Sequence, residues 1–288
     1  MPDYKFSRMP GRIGIFDSGY GGLTILDAIR ESLPQYSYVY LGDNARAPYG
    51  TRSFDVVYDF TRQAVDFLFR QGCHLVILAC NTASAKALRT LQQNDLPQMD
   101  PRRRVLGVIR PTVEALGRSG AGHVGVLATP GTILSHSYNL EIRKLYPEMN
   151  VTEMPCPMWV PLIENREADS PGADYFVKKY TDALMSENPE IDSVILACTH
   201  YPLLYRKIRE CIPEHVRILS QGHIVGESLA DYLTRHPEIE RQCLKQADCI
   251  YLTTEAPDKF NELASVFLHD EVKATRVRLQ LLLYTIYE

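Results

Sequence analysis

Short apolar runs rich in β-branched residues alternate with amphipathic segments along the chain. The apolar runs predict β-strands at residues 12–16, 38–41, 75–79, 105–108, 124–127, 194–197 and 250–253. Segments whose apolar positions follow a helical period predict helices at residues 23–32, 54–70, 83–92, 175–186, 226–235 and 259–267. Strands that alternate with helices are typical of mostly parallel sheets flanked by helices, so the sequence predicts an α/β fold.

One apolar segment occurs twice in the chain. Val76-Ile77-Leu78-Ala79-Cys80 returns as Val194-Ile195-Leu196-Ala197-Cys198, and each copy lies between helical stretches. A weaker repeat comes before each copy, where Ile13-Gly14-Ile15-Phe16 corresponds to Val124-Gly125-Val126-Leu127. Because the order is the same in both halves, the sequence predicts a duplication that gives two similar, pseudo-twofold-related lobes.

The repeat also predicts where the functional site lies. Ligands of open α/β sheets bind at the carboxyl ends of the parallel strands. If the lobes face each other, Cys80 and Cys198 lie on opposite sides of one cleft. The segment from about Ile218 resembles strands and helices that complete the first lobe. We therefore predict a first lobe of residues 1–106 and 218–288, with a second lobe of residues 107–217 inserted into it.

Composition narrows the classes of protein. The chain has 288 residues, 45% of them hydrophobic, enough for a sizeable core. A net charge of -4 gives no basic footprint for nucleic acid, and no apolar run reaches the length of a membrane span. The first residues lack the apolar core of a signal peptide. Seven scattered cysteines favour free thiols in a reducing compartment, so we expect a cytoplasmic protein that interacts with neither nucleic acid nor membrane.

Two of the seven cysteines occupy unusual positions. Most cysteines that end or interrupt apolar runs are small buried hydrophobic residues. Cys80 and Cys198 differ because hydrogen-bonding residues and a helix start follow each of them. A helix N-terminus stabilises a thiolate through its unpaired N–H groups and its dipole. No Cys-x-x-Cys pair or matching histidine spacing is present, so we expect no structural zinc or other metal.

Other polar residues flank the same predicted strand ends. Asp17 and Ser18 open a glycine-rich turn, residues 17–22, between a strand and a helix. No lysine follows Gly22, and the glycine spacing does not match a dinucleotide site. His200 lies two residues after Cys198, where an imidazole can accept a thiol proton. Glu164 ends an apolar stretch, and its position in the sequence by itself predicts a carboxylate at a helix end or on the surface.

Two thiols across a cleft match the chemistry of inverting a stereocentre. A base must remove the Cα proton from one face while an acid supplies a proton to the other face. One thiolate and one thiol meet this need in both directions. General acid–base catalysis contributes about 10²–10⁴-fold, so fixed donors must also position the substrate and stabilise charge. Ser18, Asn81, Thr82 and Thr199 are candidate donors to a carboxylate.

Several motifs, in order, resemble those of bacterial glutamate racemases. They are Ile13 to Thr24, Tyr40-Leu41-Gly42-Asp43 with Pro48-Tyr49-Gly50, Ala79-Cys80-Asn81-Thr82-Ala83-Ser84, and Ala197-Cys198-Thr199-His200-Tyr201-Pro202-Leu203. The resemblance runs from about Gly11 to about Phe267. The two cysteine motifs alone indicate the wider aspartate/glutamate racemase superfamily. Arg110 and Ala128 depart from the family pattern, at positions where an acidic residue and a glycine are commoner.

The resemblance implies a cofactor-independent enzyme that interconverts L- and D-glutamate and supplies D-glutamate for peptidoglycan, and it favours a homodimer. It assigns Cys80 and Cys198 as the catalytic bases, with Asp17, His200 and Glu164 as supporting groups. Transferred by position, the substrate contacts are Asp17, Ser18, Tyr49, Gly50, Asn81, Thr82, Thr132, Thr199 and His200.

Two other functions stay open at this point. Pocket shape decides between glutamate and aspartate or another amino acid, and a motif does not reveal pocket shape. A different class, a nucleotide- or phosphate-binding regulatory module, would use the glycine-rich turn at residues 19–22. That alternative predicts tight nucleotide binding that does not depend on either thiol.

Overall fold

Two parallel sheets organise the molecule, as seen in a computed structural model that describes residues 9–268 and 270–279. The strands are β1 Ile13–Asp17, β2 Tyr38–Gly42, β3 Leu75–Leu78, β4 Arg104–Gly107, β5 His123–Ala128, β6 Asn150–Pro155, β7 Ser193–Ala197, β8 Arg217–Leu219, β9 Cys249–Thr253 and β10 Ala274–Arg276. The larger sheet has the order β10-β9-β2-β1-β3-β4, and the smaller one β6-β5-β7-β8. This arrangement confirms the predicted α/β class with two lobes.

Helices connect these strands and cover the sheets. They are α1 Gly22–Ser32, α2 Phe54–Arg70, α3 Asn81–Lys86, α4 Leu88–Thr90, α5 Leu96–Met99, α6 Ile109–Ser119, α7 Pro130–Leu134, α8 Ser137–Leu145, α9 Trp159–Glu164, α10 Pro171–Glu187, α11 Tyr205–Cys211, α12 Gln221–Arg235, α13 Pro237–Glu240 and α14 Pro257–Leu268. Short 3-10 turns cover Asn44–Arg46 and Tyr201–Leu204, and a π-helical turn covers Leu91–Asp95.

The sequence repeat corresponds to a repeat of strand pairing. Four strands of the larger sheet run in the order β2-β1-β3-β4, and the smaller sheet has the same order, β6-β5-β7-β8. Gly14 of β1 pairs with Val76 of β3, and Gly125 of β5 pairs with Val194 of β7. The two glycine-bearing strands therefore meet the two cysteine-ended strands in the same register, which brings the ends of β3 and β7 to equivalent places.

All seven predicted strands are present, with bounds that differ by a residue or two. The helix predicted at residues 83–92 begins earlier, at Asn81, and its α-helical hydrogen bonding is interrupted at Ala87, which has φ -118°. The helix predicted at 226–235 also begins earlier, at Gln221. Strands β6, β8 and β10 were not predicted, and each lies at the edge of a sheet.

The division into lobes at residues 106/107 and 217/218 stays a prediction. Strand β8 spans the second boundary and pairs with β7 on the smaller sheet. Helix α12 then packs along α1, and β9 pairs with β2, so the chain has returned to the larger sheet by that point. Residues 1–8, 269 and 280–288 of the predicted first lobe lie outside the described residues.

The central strands of each sheet are buried on both faces, as in parallel sheets of α/β proteins generally, whereas the edge strands β6, β8 and β10 are partly exposed. Strands β1, β2, β3 and β7 are buried at every position. Across the described ranges, no helix has both the length and the apolar character needed to cross a bilayer. Rigid packing beneath the strand ends gives the polar loops at those ends fixed positions.

Candidate active site

One cleft lies at the carboxyl ends of the strands, and residues from both sheets line it. Cys80 follows β3 and Cys198 follows β7, and both thiols face this cleft together with Ser18, Thr82 and Thr199. The space open to the centre of a water molecule is about 70 Å³. A single water needs about 10–15 Å³ on that measure, so the cleft has room for a small polar molecule.

Cys80 is the N-cap of α3 and is almost completely buried, with 6% of its surface exposed. Its Sγ accepts a hydrogen bond from the Ala83 N–H at 3.4 Å and lies 3.3 Å from Ser18 Oγ. Burial raises the pKa of Cys80 to about 12, and the negative charge of Asp17 also raises it, whereas the contacts with Ser18 and Ala83 lower it. In the free cleft, Cys80 is therefore a neutral thiol.

Cys198 lies in a different electrostatic setting. Its Sγ is 3.8 Å from His200 Nδ1, and His200 Nε2 is 3.0 Å from Glu164 Oε1. Burial lowers the pKa of His200, but the hydrogen bonds with Cys198 and Glu164 and the charges of both partners together raise it well above its usual range. The imidazole is therefore held in its charged form between the Cys198 sulfur and the Glu164 carboxylate.

Asp17 lies at the end of β1 with 1% of its surface exposed. Oδ2 accepts a hydrogen bond from the Gly19 N–H at 2.9 Å, and within the described residues Oδ1 has no hydrogen-bond partner. Burial raises the pKa of Asp17, the charge of His200 lowers it, and that of Glu164 raises it. Asp17 itself is not among the residues that line the cleft; it lies directly before Ser18, which does line it. A buried carboxylate oxygen without a partner is chemically suited to receive an ammonium group.

The glycine-rich turn brings the two lobes into contact at this point. A Cβ atom added to Gly21 would overlap Thr199 Oγ1 and His200 Nδ1. Only glycine permits this approach without a shift of the imidazole. The turn therefore packs against a side chain that follows β7, which leaves no room for a phosphate at Gly21. The structure does not favour the phosphate-binding alternative.

Three threonine hydroxyls form a cluster beside the cleft. Thr82 Oγ1 lies 3.0 Å from Thr129 Oγ1 and 3.3 Å from Thr132 Oγ1, and the last two oxygens are 3.1 Å apart. Thr82 and Thr129 line the cleft, while Thr132 contacts them from behind. Thr129 was not among the predicted site residues. The sequence repeat contained a signal for it, because Thr129 follows β5 where Ser18 follows β1.

The remaining predicted contacts also lie at the cleft. Tyr49 and Gly50 line it, but the Tyr49 hydroxyl donates to Asp43 Oδ2 and is not free for a ligand. The Gly50 carbonyl accepts a hydrogen bond from the Gly131 N–H at 2.7 Å, which ties this loop to the start of α7. Asn81, Thr199 and Glu164 line the cleft as well.

Cys156 is a buried core residue, as predicted for a cysteine of this kind, and it also lies at the cleft. The residue lines the same cavity, and burial raises the pKa of its thiol well above the usual range. Across residues 9–268 and 270–279, no three His, Cys, Asp or Glu side chains are grouped so that they could hold a metal ion. Independence of metal and cofactor stays a prediction.

Comparisons with known proteins agree with this geometry. Residues 23–225 match the Asp/Glu/Hydantoin racemase family. A glutamate racemase of Roseobacter denitrificans is 40% identical over 272 residues, covering 91% of this chain and 98% of that protein. The structure of a glutamate racemase isoform of Bacillus anthracis has a TM-score of 0.85 and 32% identity, covering 93% of this chain and 98% of that one.

A second solved structure comes from Francisella tularensis, a glutamate racemase in complex with D-glutamate. It has a TM-score of 0.83 and 31% identity, and the match covers 94% of this chain and 98% of that one. Sequence identity over nearly the full length, shared topology and two thiols facing one cleft agree with one another. The chain therefore belongs to the Asp/Glu/Hydantoin racemase family and is an amino-acid racemase of the glutamate racemase type.

Proposed function

We propose that this enzyme interconverts L- and D-glutamate by a two-base mechanism, in which Cys198 removes the Cα proton of L-glutamate and Cys80 that of D-glutamate. The observation that carries the proposal is that two thiols, at equivalent strand ends of repeated units, face one cleft in unequal electrostatic settings. A base on one face of Cα and an acid on the other are what inversion requires.

The unequal settings provide the two protonation states. The charged imidazole of His200 lies 3.8 Å from Cys198 and can pair with its thiolate. Cys80 holds its proton because burial raises its pKa to about 12. For L-glutamate, the Cys198 thiolate takes the Cα proton and the Cys80 thiol gives its proton to the opposite face. The reverse reaction uses the same groups with the roles exchanged.

Neutral donors and one carboxylate would hold the substrate. The hydroxyls of Thr82 and Thr129, held in place by Thr132, offer donors to one substrate carboxylate. Ser18, Asn81 and Thr199 offer donors to the other. Asp17 Oδ1, which has no partner among the described residues, would receive the ammonium group. Charge-assisted hydrogen bonds of this kind are about twice as strong as neutral ones.

We further propose that the reaction supplies D-glutamate for peptidoglycan in the cytoplasm and that the enzyme is a homodimer. Support for a role in supplying D-glutamate comes from the relatives, which are glutamate racemases of bacteria. Size-exclusion chromatography with light scattering measures the oligomeric state directly. A monomer at micromolar concentration would exclude the dimer without affecting the proposed reaction.

The decisive experiment replaces each thiol separately. Cys80→Ala and Cys198→Ala should each nearly abolish racemisation, measured by circular dichroism, because each direction needs both acid and base. In deuterated water the wild-type product should carry deuterium at Cα. Cys80→Ala should still exchange the Cα proton of L-glutamate through Cys198 while forming little D-glutamate.

Cys73→Ala is the matched control, because Cys73 is a fully buried thiol that lies just before β3, away from the cleft. It should retain turnover. Wild-type turnover in a folded Cys80→Ala or Cys198→Ala variant would exclude the two-base mechanism. A preference for aspartate over glutamate in the wild-type enzyme would instead leave the mechanism and change the substrate.

A further inference from the structure

A closed ring of hydrogen bonds holds the side chain of Asn81. Asn81 Nδ2 donates to Gln221 Oε1 at 2.6 Å, Gln221 Nε2 donates to the Tyr138 hydroxyl at 2.8 Å, and this hydroxyl donates to Asn81 Oδ1 at 2.7 Å. All three side chains are buried, but only Asn81 lines the cleft. The ring therefore reaches the cleft through Asn81.

Thr112 fixes the direction in which this ring runs. Its hydroxyl donates to the Val108 carbonyl at 2.7 Å, and its oxygen accepts from Gln221 Nε2 at 2.8 Å. A reversed Gln221 amide would place one acceptor against another. The orientation of Gln221 is therefore set by a helix carbonyl, and Gln221 in turn sets the orientation of Asn81. Rings of hydrogen bonds that run in one direction strengthen each other.

The ring leaves Asn81 with one function toward the cleft. Asn81 Oδ1 accepts a hydrogen bond from the Tyr138 hydroxyl at 2.7 Å. Gln221 Nε2 lies 3.2 Å from the same oxygen, but its two N–H groups are already directed at Tyr138 and Thr112. One N–H of Nδ2 is used by Gln221. Within residues 9–268 and 270–279 the second N–H makes no hydrogen bond. With its oxygen held by the Tyr138 hydroxyl, the side chain can offer the cleft one N–H donor, which suits a carboxylate.

We propose that Gln221 is a positioning residue for racemisation, which with Tyr138 and Thr112 holds the Asn81 amide so that one N–H faces a substrate carboxylate. This inference rests on the proposed function, since it assigns that N–H to the amino-acid substrate. The residues involved come from segments that are far apart in the chain. Asn81 is the first residue of α3, which follows strand β3, and Gln221 is the first residue of α12. Thr112 lies in α6 and Tyr138 in α8.

The test begins with Gln221→Met, which keeps the length of the side chain and removes every hydrogen bond. We expect kcat/KM to fall about tenfold, because a hydrogen bond to a charged group is lost or misdirected. The loss should appear mainly in KM, since the carboxylate is held before and during proton transfer alike. Tyr138→Phe should change kcat/KM in the same direction.

A double-mutant cycle separates positioning from a general loss of structure. If Gln221 acts through Asn81, Gln221→Met should have little further effect on kcat/KM in an Asn81→Ala background. Two effects that multiply in the double variant would overturn the proposal, because they would show that Gln221 acts independently of Asn81.

Thr112→Val and Thr61→Val form a matched pair that keeps the proposal testable if Gln221→Met does not fold. Both threonines are fully buried, and each hydroxyl donates to the carbonyl four residues earlier at 2.7 Å. Only Thr112 also accepts from Gln221. Thr112→Val should lower kcat/KM about threefold or more, and Thr61→Val should not.

Equal kcat/KM in these two valine variants would overturn the positioning role of Gln221. If the wild-type enzyme still racemised glutamate, the proposed function would stand. A wild-type enzyme that did not racemise glutamate would instead overturn the proposed function, and the positioning role with it. The two failures are therefore distinguishable.

Discussion

The Cys80 thiol is held protonated by its surroundings. Burial and the charge of Asp17 raise its pKa, to about 12. Below that pKa the thiolate fraction grows tenfold with each pH unit. We expect alkylation of Cys80 by iodoacetamide to rise about tenfold per pH unit from about pH 7 to 9 with no plateau, because the thiolate is the nucleophile. Mass spectrometry of the Cys80 peptide measures this rate.

Asp17→Asn provides the internal comparison for that titration. Removing the carboxylate removes the second cause of the raised pKa, so Cys80 should be alkylated faster than in the wild type at each pH. A plateau near neutral pH in the wild type, or slower alkylation in Asp17→Asn, would contradict this picture of Cys80.

His200 should make the stability of the protein depend on pH. Burial opposes its charge, yet contacts with Cys198 and Glu164 raise its pKa well above the usual range. A histidine whose pKa is higher in the folded state adds stability that is fully present below its unfolded pKa, about 6.5. That stability is lost as the pH rises through the folded pKa.

His200→Gln should therefore lower the free energy of unfolding more at about pH 6 than at about pH 9. Urea titrations at both pH values measure the difference between variant and wild type. A penalty that grew with pH would show that the folded protein does not favour the charged imidazole.

Asp17 and His200 should differ in the proton-transfer step that each one assists. L- and D-glutamate have equal free energies, so kcat/KM must be equal in both directions for every variant. Any asymmetry has to be sought in primary deuterium isotope effects. We expect Asp17→Asn to raise the isotope effect more with Cα-deuterated D-glutamate, whose deuterium Cys80 removes, and His200→Gln to raise it more with the L-form.

Electrostatic coupling limits the size of that asymmetry. The charge of His200 acts on Asp17, and Gly21 of the same turn packs against the His200 ring. Equal changes in both isotope effects, for both variants, would show that the two helpers act as one unit across the cleft.

Sequence reasoning predicted most of the cleft residues, because they follow strand ends in recognisable motifs. It missed Thr129, which lines the cleft, and Gln221, which lies behind it, and it predicted Cys156 as a buried residue without its place at the cleft. A lone threonine, thiol or amide has no pattern of its own along a chain. Its role depends on which distant side chain it meets, such as Gln221 with Asn81, 140 positions apart.

At the scale of elements, burial determined which strands were predictable. Strands β1, β2, β3 and β7 are buried at every position and appear as continuous apolar runs. Strand β6, in contrast, carries Asn150, Thr152 and Glu153, and β8 has only three residues. Edge strands have fewer neighbours to pack against, so their sequences need less apolar character.

Close packing of α12 on α1 explains two glycines that no turn requires. A Cβ atom on Gly226 would lie 3.0 Å from the Ala28 carbonyl oxygen, and one on Gly222 would lie 2.9 Å from the Ala28 Cβ. In an exposed helix, Gly→Ala stabilises by about 1 kcal/mol. Here we expect the opposite sign, because overpacking a helix contact costs about 1–3 kcal/mol.

Gly226→Ala should therefore lower the midpoint of urea unfolding. Glu227→Ala, at an exposed position of the same helix, should change stability by less than about 0.5 kcal/mol. A stabilised Gly226→Ala variant would mean that α1 and α12 can separate at little cost.

At the scale of the whole molecule, the cleft is lined by polar groups, and the described residues that line it include neither lysine nor arginine. The lobes meet there through hydrogen bonds such as Gly131 N–H to the Gly50 carbonyl and Thr24 Oγ1 to the Thr199 carbonyl. Hydroxyls, amides and N–H groups fixed in this way stabilise an anion without reorganisation.

The same lining argues against pyridoxal phosphate chemistry, which requires a lysine to form the Schiff base. Lys86 is a buried lysine that is not among the residues lining the cleft, and its Nζ donates to the Arg52 carbonyl at 2.7 Å. We expect wild-type turnover to survive dialysis against EDTA and treatment with hydroxylamine. We also expect Lys86→Met to retain racemase activity, with lower stability because the contact with Arg52 is lost.

Stimulation of the dialysed enzyme by pyridoxal phosphate, loss of activity in EDTA, or an inactive but folded Lys86→Met variant would each contradict a mechanism in which two thiols suffice. Circular dichroism of glutamate solutions measures all of these activities under the same conditions.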